Sequence, residues 1–222
     1  SPVITGCTIQ NCSAATGIVA YEYSANTNFT PAITNNTISG FTSRGIYVDD
    51  QESPTITGNT ISNNKYGIRV NYSSSADNNP ILKGNTYTGN TSGDICVSGS
   101  VGAWVTWEDT GAYCVGDGGS LSIASDARLT TVSGTTVEFE SGRSLSVSGI
   151  LSAMDTTFTW AIGTNEWAGI QFNSGSSDSR MEGCTIEHAR GLGDYVSGVV
   201  HLSNCSPVIT GCTIQNCSAA TG

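Results

Sequence analysis

Residues 53–70 read SPTITGNTISNNKYGIRV, and the alternation in this stretch decides the fold. Pro54 opens a strand where a missing amide proton costs little. Ile56 points inward and Thr57 outward. Gly58 and Asn59 turn the chain, because both residue types tolerate positive φ. Ile61 points in again between Thr60 and Ser62. Asn63, Asn64 and Lys65 form a loop, and Gly67 makes the next corner. Ile68 and Val70 then point inward on either side of Arg69. Three short strands and three corners make one triangular turn. A single turn cannot bury its own Ile side chains, so another must stack on it at about 4.8 Å.

Working outward, SPVITGCTIQNC (1–12), TPAITNNTISGF (30–41) and NPILKGNTYTGN (79–90) align with SPTITGNTISNN (53–64), and SRMEGCTIEHA (179–189) aligns less closely. Each precedes a short apolar strand: GIVA (17–20), GIYV (45–48), GIRV (67–70), DICV (94–97) and GVVHL (198–202). The prolines are 29, 23 and 26 residues apart. Steps of this size with period-2 alternation predict an all-β solenoid, a parallel β-helix with three short strands per coil. The predicted core columns are Ile4, Ile33, Ile56 and Leu82; Ile9, Ile38, Ile61 and Tyr87; and Ile18, Ile46, Ile68 and Ile95. Each buried Ile contributes roughly 2 kcal/mol of transfer free energy. One corner column reads Cys184, Cys7, Asn36, Asn59 and Asn85, with Cys212 repeating Cys7. Its asparagines are expected to form a hydrogen-bonded ladder, and its cysteines to fill the same corner as small apolar groups.

A longer repeat overlies the short one. Residues 1–17 and 206–222 are identical, SPVITGCTIQNCSAATG, at an offset of 205 residues. The sequence therefore holds one 205-residue unit, roughly 8–9 coils at about 24 residues each, and the start of the next copy. A natural array of near-identical units and an engineered overlap both produce this pattern. The array is preferred, because exposed solenoid ends are sticky and an engineer would add a cap. No signal peptide is visible, and a leader would lie outside this window.

Only 12 % of residues are charged, 37 % are hydrophobic and the formal net charge is −10. An acidic surface repels nucleic acid and anionic membranes, so neither is an expected partner. No apolar run reaches membrane-spanning length. The eight cysteines, Cys7, Cys12, Cys96, Cys114, Cys184, Cys205, Cys212 and Cys217, match no zinc spacing. Disulfides and buried free thiols both remain open.

These segments resemble the right-handed parallel β-helix repeat families of secreted bacterial and archaeal proteins, through SPTITGNTISNN and the following GI-x-V strand. Residues 118–160, then EWAGIQF (166–172) with Trp167, Gly169, Ile170 and Phe172, then SRMEGCTIEHARG (179–191), are similar to the first coils of those domains. The resemblance covers nearly the whole chain and implies a permuted order: 1–100 as the last coils of one unit, 101–119 as an inter-unit junction, 120–205 as the first coils of the next, and 206–222 as the start of a repeat. It implies a fold, while related coils serve adhesins, fibres, phage spikes and carbohydrate-active enzymes.

Within the junction, Trp104, Trp107 and Tyr113 are expected to seal one unit onto the next. Cys96 and Cys114 flank it, and alternation turns Cys96 outward. A Cys96–Cys114 disulfide is one pairing the sequence allows. The outward column of the third strand is expected to read Gln171, His201, Val19, Tyr47, Arg69 and Cys96, without a carboxylate pair. Asp49, Asp50 and Glu52 are a weak calcium candidate on a loop. Glu138 and Glu140 are expected as an exposed pair, and Glu187, His188 and His201 as scattered groups. Sequons begin at Asn11, Asn28, Asn35, Asn71, Asn90, Asn204 and Asn216, of which Asn28 and Asn71 are expected on loops. No catalytic residue, bound metal or cofactor is expected. The expected function is structural and extracellular: a β-helical fibre, stalk or surface layer whose partners are identical units or chains. A carbohydrate-binding adhesin module, with Tyr21, Tyr23, Tyr47 and Tyr66 as sugar platforms, and a polysaccharide-active enzyme are the alternatives.

Overall fold

A computed structural model describes residues 1–21, 30–49, 53–75, 79–161, 163–193 and 198–218. Coil 1 holds β1 (Val3–Thr5), β2 (Thr8–Gln10) and β3 (Thr16–Ala20); coil 2 holds β4 (Ala32–Thr34), β5 (Thr37–Ser39) and β6 (Arg44–Val48). Coil 3 holds β7 (Thr55–Thr57), β8 (Thr60–Ser62) and β9 (Tyr66–Tyr72); coil 4 holds β10 (Ile81–Lys83), β11 (Thr86–Thr88) and β12 (Gly93–Val101). Coil 5 holds β13 (Trp104–Trp107), β14 (Tyr113–Val115) and β15 (Leu121–Ile123); coil 6 holds β16 (Arg128–Thr131), β17 (Thr136–Phe139) and β18 (Ser144–Val147). Coil 7 holds β19 (Ile150–Met154), β20 (Thr157–Trp160) and β21 (Gly169–Phe172); coil 8 holds β22 (Arg180–Glu182), β23 (Thr185–Glu187) and β24 (Val200–Leu202). A ninth coil begins with β25 (Val208–Thr210) and β26 (Thr213–Gln215). Every strand pairing is parallel, and each joins neighbouring coils. The chain is thus a β-solenoid of about eight turns.

The core columns are those read from the sequence. Ile4, Ile33, Ile56 and Leu82 are ladder partners in turn, as are Ile9, Ile38, Ile61 and Tyr87, and Ile18, Ile46, Ile68 and Ile95. Ile33, Ile38, Ile46, Ile56, Ile61 and Ile68 are fully buried.

The corner asparagines divide two jobs. Gly58 alone takes positive φ (65°), as Asn35 (55°) and Gly84 (63°) do on neighbouring coils. The next residue, Asn36, Asn59 or Asn85, turns inward and is buried. Asn59 is therefore a ladder member and not part of the bend, because only one residue per corner needs the left-handed conformation. Asn59 Oδ1 accepts from the Asn36 backbone N–H (2.9 Å) and Nδ2 (3.0 Å), while Asn59 Nδ2 donates to the Ile33 carbonyl (2.9 Å) and Asn85 Oδ1 (2.9 Å). All four hydrogen-bonding positions of a buried amide are satisfied. Cys184 and Cys212 occupy this corner higher in the stack, each with its thiol toward backbone carbonyls, and Cys7 occupies it on the first coil.

Asn63 and Asn64, expected as plain loop, repeat this arrangement at the second corner. Asn63 has φ 54°, and Asn64 is buried with its Oδ1 accepting from the Phe41 N–H (3.0 Å) and its Nδ2 donating to Asn90 (3.2 Å). The glycine before each third strand serves a different need: a Cβ on Gly45 would stand 2.7 Å from the Gly67 carbonyl oxygen, so the coils touch backbone to backbone there.

The stack slips once. β12 pairs with β9 below, and above it carries two strands: Ile95–Val97 pairs with β14, and Gly99–Val101 pairs with β15. By coil order β14 belongs over β11. Instead it sits on the third strand of coil 4, and one sheet becomes two arms. The expected outward column is corrected accordingly. Val19, Tyr47, Arg69 and Cys96 lead into Cys114 and Glu138, whereas Gln171 and His201 belong to the other arm above Ser146.

Inside the slip, Trp107 and Tyr113 stack at 4.2 Å between centroids, and the Trp107 indole donates to the Tyr72 hydroxyl (3.1 Å). These two aromatics do fill core space at the slip. Trp104 does not: one strand position separates inward from outward, and alternation along β13 leaves Trp104 67 % exposed.

Candidate functional site: an arginine–aspartate clasp

A charged hydrogen-bond network lies on the outer face of the third-strand sheet, where the slip begins. Arg69 projects outward from β9 between Tyr47 and Cys96. The turn joining β14 to β15 carries Asp117, at φ 44°, back over this face. Asp117 Oδ2 accepts from Arg44 Nη2 at 2.7 Å and from Arg69 Nε at 3.3 Å. Arg69 Nη2 also donates to the Asp117 carbonyl (3.0 Å) and to Ser98 Oγ (2.6 Å), and its Nη1 donates to the Val70 carbonyl. The guanidinium is buried with its charge matched, as an interior arginine requires.

Two further carboxylates tie in. Glu140 accepts from the Tyr66 hydroxyl (3.0 Å) and the Asp117 N–H (3.1 Å). Asp49 accepts from Asn71 Nδ2 (2.9 Å). Burial works to raise the Asp117 pKa, but the hydrogen bond and charge of Arg44 and the charge of Arg69 outweigh it, so the carboxyl lies below its ordinary value. Burial, aided by Asp49, lifts Tyr47 to about 12. An aspartate locked between two guanidiniums is ionised and fully engaged. It acts as a structural clasp tying coils 2, 3 and 5 together.

Several expected groups are placed differently. Glu138 and Glu140 are half-buried, not exposed: Tyr66 and the 116–119 turn fold over Glu140, and Glu138 lies between Cys114 and Thr159. Cys96 and Cys114 do turn away from the coil interior, and they are direct ladder partners, yet both are buried beside Tyr66 and Ala161. They are free thiols. The hydrogen bond from Cys96 and burial push the Cys114 thiol up, and Glu140 and Glu138 add to this.

Of the calcium candidates, Asp50 and Glu52 lie outside the described residues, and Asp49 is held by Asn71. Among the described residues no group of three or more His, Cys, Asp or Glu side chains is placed to hold a metal ion. Glu187 is engaged by Gln215 (3.1 Å), His188 stacks on Trp160 (4.3 Å), and His201 lies on another strand, so these do not form one site. Asn71 sits in β9 and not on a loop; Asn28 lies outside the described residues. Among the described residues the tyrosines form no shared platform. Tyr66 is buried, Tyr47 lies under the Arg44 guanidinium at 4.6 Å, and Tyr23 is outside the described residues, while Tyr21 is half exposed.

Sequence reasoning missed Asp117 and the part that Glu140 takes in holding it. The available signal for Asp117 was the GDGG turn (116–119) in the irregular zone, since such a turn lets a side chain fold back onto a preceding coil.

Fold and clasp together define a parallel β-solenoid whose coils are locked to one another by buried polar ladders. The family described as "Right handed beta helix region" matches residues 1–113. That is just over half of the 222 residues, and the chain belongs to this family. No curated protein and no solved structure gives a significant match.

Proposed function

We propose that the chain is a structural segment of an extracellular rod, in which 205-residue units continue one coil stack end to end. The observation that carries this reading is the ninth coil. β25 and β26 occupy the positions of β1 and β2 shifted by one unit. Gly211 and Gly6 have φ 63° and 64°, and Asn216 and Asn11 have 52° and 54°. Cys212 and Cys7 direct their thiols to equivalent carbonyls at 3.5 and 3.4 Å. β25 rests on β22 in the same in-register way that β4 rests on β1. One copy's first coil thus serves as the next coil of the copy before it.

The work of such a rod is mechanical and not catalytic. Eight coil steps per unit give a rise of about 40 Å. Its partners are further identical units, and it lies at or beyond the cell surface. Negative-stain imaging of native material tests this. Rods with an axial repeat of about 40 Å are expected; compact monomers would overturn the reading.

A further inference from the structure

The sequons among the described residues fall into two kinds. Asn71 and Asn90 are engaged. Asn71 lies in β9, and its Nδ2 donates to Asp49 (2.9 Å). Asn90 Nδ2 donates to the Ile61 carbonyl (3.2 Å) and to Asp94 (3.1 Å). Asn11, Asn35, Asn204 and Asn216 differ. Each is exposed at a corner outside the strands, and their φ values are 54°, 55°, 53° and 52°. Asparagine is one of the few residues with a side chain that takes this conformation readily. The Asn35 side chain lies along the outside of its corner: its Oδ1 rests over Gly58 of the next coil, 2.5 Å from where a Cβ would stand. Asn11 lies over Gly40 in the same way, at 3.7 Å. With the oxygen toward the stack, the amide nitrogen faces solvent. None of the four side-chain amides is hydrogen-bonded among the described residues.

We propose that Asn11, Asn35 and Asn204 are acceptors for N-linked saccharides, with Asn216 as the Asn11 site of the following copy. In this step Nδ2 bonds to the anomeric carbon of a saccharide carried on a polyprenyl diphosphate. The bond from that carbon to the diphosphate oxygen breaks, the lipid diphosphate leaves with the electron pair, and the amide gives up one proton. The hydroxyl two residues on completes the acceptor, and Ser13, Thr37, Ser206 and Ser218 supply it. The assignment rests on the extracellular reading of the chain, since protein acceptors meet this donor on the outer side of the membrane. Asn204 follows the last strand of coil 8, Asn216 bends coil 9 and repeats Asn11, and Asn35 bends the coil after Asn11. In an array the three sites therefore fall on three successive coils and on three different corners. They form a collar about 10 Å tall around each copy border. Bulky, solubilising groups there shield the border from proteases and from side-by-side contact.

The test is peptide mapping by mass spectrometry of the protein from its native source, and of Asn35→Asp, Thr37→Ala and Thr37→Ser variants secreted by the same cells. Saccharide mass is expected on the peptide shared by Asn11 and Asn216 and on those of Asn35 and Asn204, and none on the peptides of Asn71 and Asn90. Asn35→Asp removes the acceptor nitrogen and keeps the bend, since Asp155 already takes such a corner over Gly183 at φ 43°. Thr37→Ala removes the hydroxyl from an exposed outward position. Each should abolish modification at Asn35 and leave it at Asn204, whereas Thr37→Ser keeps both. A bare Asn35 or Asn204 in the native protein, or saccharide on Asn71 or Asn90, would overturn the assignment. Imaging of the same material keeps the two readings apart: unmodified rods sink the saccharide sites alone, and glycosylated compact monomers sink the rod alone.

Discussion

Asn85 donates both its backbone N–H (3.1 Å) and its side-chain amide (2.6 Å) to the Asp109 carboxylate. The Tyr87 hydroxyl (2.9 Å) and the Thr110 N–H (3.0 Å) donate to the same group. Each asparagine below passes the pattern on, accepting from one coil and donating to the next. The Asp109 carboxylate only accepts, and so it ends the ladder at the coil where β14 moves aside. Asp109→Asn turns one acceptor into a donor facing the Asn85 amide and the Tyr87 hydroxyl. A loss of about 1–3 kcal/mol is expected from leaving buried groups unpaired, read as a lower urea midpoint. An unchanged midpoint would show that the carboxylate does no such work.

The two adjacent kinds of corner asparagine should respond differently to substitution. Asn59→Ala strands the Asn36 and Asn85 side chains and the Ile33 carbonyl, and should cost about 2–4 kcal/mol. Asn63→Gly keeps a positive φ that glycine adopts without strain, and should change stability by less than about 1 kcal/mol. Chemical denaturation of the two variants side by side separates bend from ladder; equal losses would refute the division of labour.

The contrast marks what the sequence makes legible. The positions of Ile56, Ile61 and Ile68 are apolar on every coil in the first half, with Leu82 and Tyr87 replacing isoleucine on coil 4, so their columns follow from local alternation and a period near 25 residues. The Asn36–Asn59–Asn85 column follows from the same alignment. The clasp is not local: Asp117 meets Arg69 across 48 residues and Arg44 across 73. Which coil it meets depends on β12 carrying two strands, a choice made by packing. Trp107 and Tyr113 fill a space that exists only once the sheet has divided. Trp104, three residues before Trp107, falls on the opposite face, because the residues of a strand alternate and a three-residue step changes sides.

The clasp gives the fold a specific acid sensitivity. The Asp117 pKa lies below its ordinary value once Arg44 and Arg69 have outweighed burial. A depressed carboxyl stabilises the fold above its unfolded value of about 3.9, and that contribution disappears as pH falls through the folded value. Asp117→Asn should therefore be weaker than the parent at neutral pH and converge with it in acid. A difference of about 1–2 kcal/mol is expected at neutrality, less than for a fully buried pair because the aspartate is partly solvated. Unfolding midpoints from about pH 7 to about pH 2 check both the sign and the window.

Glu138 should behave in the opposite sense. It stands between Cys114 and Thr159 in the divided arm, half-buried. Burial raises its pKa, and the charge of Asp94 raises it further. Ionising it therefore costs the folded state more than the unfolded chain. Stability falls as pH rises from the unfolded value, about 4.3, through the folded one, and stays lowered at neutrality. Glu138→Gln removes a charge and keeps the shape, so it should raise the thermal midpoint at neutral pH and leave it unchanged in acid, where both side chains are neutral. Asp94→Asn should act in the same direction and by less, since its charge is the smaller of the two causes. A gain of equal size at both pH values would mean that packing, not charge, distinguishes the glutamine.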